Sequence, residues 1–242
     1  MLMKKLAALI IILNIPFNLY FFFTNTSNCV LVKYLGMEQI ANNIFVSHDL
    51  SSERKLQILR TVSSSKDITE KFWGSIVSDP VIIICNTDNE FSSFGEYQSE
   101  ALTRVYPFGT YIVISPGNLN ENILSHELTH SELYQRTGFV NNYKIPEWFH
   151  EGLAVLSSEN VIDPEAIKYK YDKVTLNGKL NIPLNDFSFN EKYFGYKDKC
   201  NIYYTKAEME VLNWYIKNDG RKGLIEFVDK LNSHSNFYEA FK

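Results

Sequence analysis

The chain has 242 residues, 45% of them hydrophobic and 21% charged, with a formal net charge of −4. That length admits one generous domain or two small ones with a buried core. Mild acidity with no long basic run excludes nucleic acid as an expected partner, and 17 Phe with 15 Tyr exclude disorder over the body of the chain. At the N-terminus, Lys4 and Lys5 precede an uncharged stretch, Leu6–Phe23. As a helix it would rise about 27 Å, close to the roughly 30 Å hydrocarbon core of a bilayer. Residues 1–28 are therefore expected to form a signal anchor, or a signal peptide if cleaved. In both cases the lysines stay inside and the rest of the chain lies beyond the cytoplasmic membrane, single-pass if anchored and secreted if not.

Residues 24–38 read as a polar connector and Asn43–Ser47 as a strand. Ser51, Ser52 and Glu53 start a helix whose Leu56, Leu59 and Val62 share a face. The β-branched run Val81–Cys85 (VIIIC) reads as a buried strand with Cys85 a core residue. Residues 87–104 are expected to be loop with a short helix. Thr110–Ser115 (TYIVIS) is expected to be a strand that serves as an edge for an extended peptide. Asn118 or Asn120 caps a helix from about Glu121 to Arg136, stopped by Gly138. Pro146 suits the first turn of a further helix, PEWFHEGLAVLSS. Residues 160–200 show no period, and two more helices follow, YYTKAEMEVLNWYIKN and GLIEFVDKLN. Strands mixed with helices, then mostly helices, predict an α+β fold with a helical C-terminal half. The three cysteines form no CxxC pair, so no ribbon or redox motif is present.

The stretch SHELTHSELYQ holds His126 and His130 with Glu127 directly after the first. Four residues apart on a helix, the two imidazoles stand about 5–6 Å from one another on one face. They can therefore aim at a single ion, as zinc coordination requires. Glu127 lies one step round, where its carboxylate could take a proton from a water polarised by that ion. A third protein ligand is needed, and Glu147, His150 and Glu151 all lie 17 to 21 residues beyond His130. Spacing does not choose among them. A metzincin arrangement is excluded, because its glycine and third histidine would fall at Leu133 and Arg136.

HELTH followed by PEWFHEGLA resembles the gluzincin metallopeptidases, in particular the peptidase MA-like family. The resemblance implies a zincin-like fold over residues 38–242, with a site cleft between about 40–137 and 138–242. It also implies Glu151 as the third ligand beside His126 and His130, and one Zn2+ per chain. The chain would then be a membrane-anchored, extracytoplasmic peptidase acting on peptide or protein substrates, with Glu127 assisting attack by a metal-activated water. A tyrosine or histidine from the helical half would stabilise the oxyanion, which makes Tyr204, with its neighbour Tyr203, the candidate. Many gluzincins carry an acidic residue four positions after the third ligand, where this chain has Val155. The alternative expectation is a catalytically silent scaffold of the same fold tethered to the membrane.

Overall fold

The structure, a computed structural model, describes residues 27–94, 99–159, 161–175, 184, 197–233 and 236–242. The expected anchor Leu6–Phe23 lies outside them, and among the described residues no helix is long and apolar enough to cross a membrane. In chain order the elements are α1 (Ser27–Val30), a 3-10 turn (Val32–Tyr34), β1 (Glu38–Ala41), β2 (Ile44–Val46), α2 (Ser52–Trp73), β3 (Val81–Ile84) and α3 (Asp88–Ser93). There follow β4 (Ala101–Tyr106), β5 (Gly109–Ile114), α4 (Glu121–Asn142), α5 (Glu147–Ser158), α6 (Pro164–Val174), α7 (Lys197–Lys217), α8 (Arg221–Asn232) and α9 (Phe237–Ala240). This is the α+β fold expected, a small mixed sheet first and helices after. Two compact units emerge: residues up to 58 with 81–102 and 111–119, and residues 59–80 with 103–110 and 120–242.

The five-stranded sheet runs β1-β2-β3-β5-β4. β2, β3 and β5 are parallel neighbours, with Ile82 opposite Ile44 and Ile112, while β1 is antiparallel to β2. Ile82, Ile83 and Ile84 are all buried, because a central parallel strand is covered on both faces and needs no polar alternation. In the first unit, Cys29, Phe45, Ile83, Cys85, Phe91 and Val113 form one apolar cluster. Cys85 is a core thiol outside any disulfide, and burial pushes its pKa far up.

Two expectations fail at the sheet. The segment 87–104 does contain a short helix, α3, with a Thr87–Glu90 capping box. Its end, however, is strand β4, half-buried at every position, so the sequence shows no in-out alternation. The edge also differs. β5, which holds TYIVIS, lies between β3 and β4, and the outer strand is β4. A peptide cannot pair with β5 while β4 occupies that side.

In the second unit, α4 starts where Asn120 accepts from the Ile123 amide. Gly138 then breaks the helical path with φ 73 and ψ 165, a conformation that disfavours any side chain. α5 is preceded by Pro146 at its N-cap. α6 lies in the segment expected to be irregular, capped by Asp163 with Pro164 next. It was legible in those two residues but is short and largely exposed. α7 starts six residues before the expected Tyr203, at Lys197.

The core of this unit is aromatic. Phe149 is fully buried and meets Trp214, Phe227, Phe237 and Phe241 with ring centroids 5.0–5.8 Å apart. Burying such a ring contributes about 2–3 kcal/mol, and edge-on contacts add roughly 0.5–1.5 kcal/mol each. α5 approaches α7 closely at Gly152, where a Cβ would stand 2.4 Å from the Ala207 carbonyl oxygen.

Candidate metal centre

α4 and α5 bring the site together within the second unit. His126 and His130 sit one turn apart on α4, rings edge-on with centroids 4.9 Å apart. Their Nε2 atoms lie 3.2 Å from one another. From α5, Glu151 places Oε2 3.3 Å from His126 Nε2 and Oε1 3.7 Å from His130 Nε2. The three side chains offer one donor atom each, all within 4.8 Å of one another.

The donor set fits a metal ion. Tetrahedral bonds of about 2.05 Å separate neighbouring donors by roughly 3.3 Å; the two imidazole nitrogens stand 3.2 Å apart, and Glu151 brings one oxygen to 3.3 Å from His126 and the other to 3.7 Å from His130. Two borderline imidazole nitrogens with one hard carboxylate oxygen form a donor set that a divalent metal ion accepts. The side chains are partly accessible, 21%, 16% and 13% exposed for His126, His130 and Glu151, so water or a ligand can reach them. Neither His150 nor Glu147 belongs to the cluster. Of the three residues that spacing left open, the fold brings Glu151 to the histidines.

Charge is distributed in a way that favours a cation. Burial pushes the Glu151 carboxyl up, but His130 and His126 outweigh it and hold it near 2, ionised. Burial brings His130 down to about 3 against the pull of Glu151, which keeps its lone pair available. For His126 burial works against the cation, and the hydrogen bond and charge of Glu151 outweigh it, raising its pKa. His150 packs near His130, centroids 6.2 Å apart, with Nε2 3.2 Å from the Asn142 carbonyl. It anchors the turn between α4 and α5.

Glu127 is buried beside the cluster. Thr103 of β4 donates to its Oε2 at 2.6 Å and also reaches its main-chain carbonyl at 3.1 Å. Burial raises the Glu127 pKa, opposed by His126 and by the Thr103 hydroxyl. Sequence reasoning missed Thr103, since nothing in ALTRVY marks it as facing a helix. Tyr203 is fully buried. Burial, then the charges of Glu147 and Glu151, push its hydroxyl far above the ordinary tyrosine range, which puts it within electrostatic reach of the site. Tyr204 is half-buried, its ring 6.1 Å from that of Tyr203.

The α4 face behind the ligands is polar. Thr129 bonds the Ser125 carbonyl and Ser157 of α5, and Ser131 pairs with Thr110. The fully buried Glu132 accepts from the amides of Val77 and Ser78 and from Arg136. Of the solitary histidines, His48 is exposed, 3.8 Å from Glu38, and His234 lies outside the described residues. In comparisons with known proteins, no protein-family model and no curated protein matches the chain.

Proposed function

We propose that this chain is a zinc-dependent peptidase of the gluzincin kind, held at or released from the outer face of the membrane by its N-terminal segment. The observation that carries the reading is the convergence of donor atoms from His126, His130 and Glu151 within 4.8 Å of one another, with Glu127 buried beside them. Three protein ligands are the number used by catalytic zinc sites, which keep a further position for water or substrate. When bound there, zinc supplies Lewis acidity that makes a water nucleophilic near neutral pH and polarises a substrate carbonyl.

The protein's own part is orientation and proton transfer. Glu151 and the two histidines fix the ion's place between α4 and α5. The Thr103 hydroxyl holds one oxygen of Glu127, which leaves the other to accept a proton from the attacking water and pass it to the departing amine. Tyr204, the more accessible of the two α7 tyrosines, would supply the donor for the carbonyl oxygen as it gains charge. β4 ends the sheet on the side next to β5, and an extended peptide can align along that edge. The export reading rests on Lys4, Lys5 and the uncharged run after them.

Metal analysis and cleavage assays on the same preparation test this reading. Purified chain is expected to carry one zinc and to cleave peptides, with activity lost on chelation and restored by zinc. Glu127→Gln should keep the metal and lower kcat by at least about a hundredfold. Zinc retention with no cleavage by the unaltered chain would leave a binding protein, and no zinc would end the proposal.

A further inference from the structure

Glu147 is the first residue of α5 and stands one turn before Glu151, so the two carboxylates share a helix face about 5–6 Å apart. The next two residues, Trp148 and Phe149, turn into the aromatic core, which leaves Glu147 with Glu151 on the other side of α5. It is half-buried. Among the described residues no hydrogen bond or ion pair reaches its carboxyl, whereas Glu132, Glu151 and Glu208 all have partners. A first-turn glutamate is ordinarily favoured by the helix dipole as the anion. Here burial, then repulsion by Glu151, raises the carboxyl to about 7. Among the described residues the fold places no cationic side chain on this carboxyl, one turn from Glu151, which leaves it open to a charged group of a ligand.

Building on the peptidase reading, we infer that Glu147 is a specificity determinant that binds a positively charged group of the substrate, so that the site takes cationic peptides. The unpaired carboxyl beside the ligand Glu151 would meet an ammonium or guanidinium in a partly desolvated setting, where a charge-assisted hydrogen bond is worth tenfold or more in affinity. That cation is either a lysine or arginine side chain or the free amino end of a peptide. Both offer the same chemistry.

Binding, rather than turnover, is the test, so that failure of the peptidase reading and failure of this inference are separable. Full-length zinc-loaded Glu127→Gln protein is titrated with four fluorescent peptides of one sequence, carrying lysine or norleucine at one position and a free or acetylated N-terminus. The lysine is moved through each position in turn. Tighter binding of the lysine peptide by about tenfold assigns a side chain as the cation, and the same advantage for the free N-terminus assigns the α-amine. Adding Glu147→Gln should collapse that ratio to about one with zinc content unchanged, and Glu147→Lys should invert it in favour of a glutamate-containing peptide. Equal affinities for all four peptides overturn the inference, as does an advantage that persists in Glu147→Gln. A preference abolished by Glu147→Gln in a chain that cleaves nothing would uphold the inference while ending the peptidase reading.

Discussion

α4 and α5 both contribute side chains to the candidate metal site, but they are held in place by different balances of force. The buried side of α4 is mixed: Ser125, Glu127, Thr129, Ser131, Glu132 and Thr137 lie inside beside Leu124, Leu128 and Leu133. The buried face of α5 is apolar, with Trp148, Phe149, Leu153 and Leu156 in the aromatic core. Hydrogen bonds are directional, whereas apolar packing fixes distance far more tightly than rotation. A helix carrying three functional side chains in five residues must not turn about its axis, since each residue step is about 100°. A helix carrying one ligand has chiefly to stay close. The polar pins of α4 and the close approach of α5 answer those two needs.

Breaking a polar pin on α4 should have the largest effect. Glu132 is fully buried between the 77–78 amides and Arg136, whose guanidinium also bonds Ser75 and lies 4.9 Å over Trp73. Glu132→Gln leaves Arg136 without its anion and is expected to lower stability by about 3–5 kcal/mol, measured by urea unfolding. A cost below about 1 kcal/mol would mean that α4 owes its placement to packing after all.

Breaking the approach of α5 comes next. Gly152→Ala puts a methyl 2.4 Å from the Ala207 carbonyl oxygen. The cost should be about 1–3 kcal/mol, net of a gain of roughly 1 kcal/mol from better helix propensity. The displaced Glu151 should weaken zinc binding as well. Titration of the metal-free protein with zinc checks this, and unaltered affinity would show that α5 slides without moving its ligand.

Smallest in free energy is the loss of the β4 contact. Thr103→Val keeps shape but removes the donor to Glu127, and should lower kcat about 10-fold with little change in stability or KM. Burial raises the Glu127 pKa, and that hydroxyl bond opposes the rise alongside the larger influence of His126. Without it the pKa rises, the carboxylate forms only at higher pH, and the acidic limb of the kcat/KM profile moves to higher pH. An unmoved limb would confine Thr103 to a structural part, and Thr103→Ser should restore the profile.

The sequence disclosed the parts of the site that depend on local spacing. His126, Glu127 and His130 follow from helical periodicity alone, and the caps at Asn120 and Pro146 announced both helices. Choosing Glu151 over Glu147 needed either the family resemblance or the fold, because both lie on the α5 face toward α4. Thr103 could not be read at all: its strand lacks alternation, and its contact with Glu127 spans 24 residues. β4 was likewise hidden, and with it the true edge of the sheet. Tyr203, buried against α5, drew no more attention in the sequence than Tyr204, since burial on a helix of nearly continuous mixed character leaves little periodic trace.

The break at Gly138, together with the short turn that His150 anchors, confines the entire donor set to residues 126–151. A ring closed over so few residues carries a small entropic penalty. During synthesis the stretch emerges ahead of α7 and α8. A nascent chain could therefore capture its ion as a helical hairpin before α7, α8 and the Trp214–Phe227 rings exist to enclose it. Metal supply during folding would then bear on how fast the protein matures, as well as on what the finished protein does.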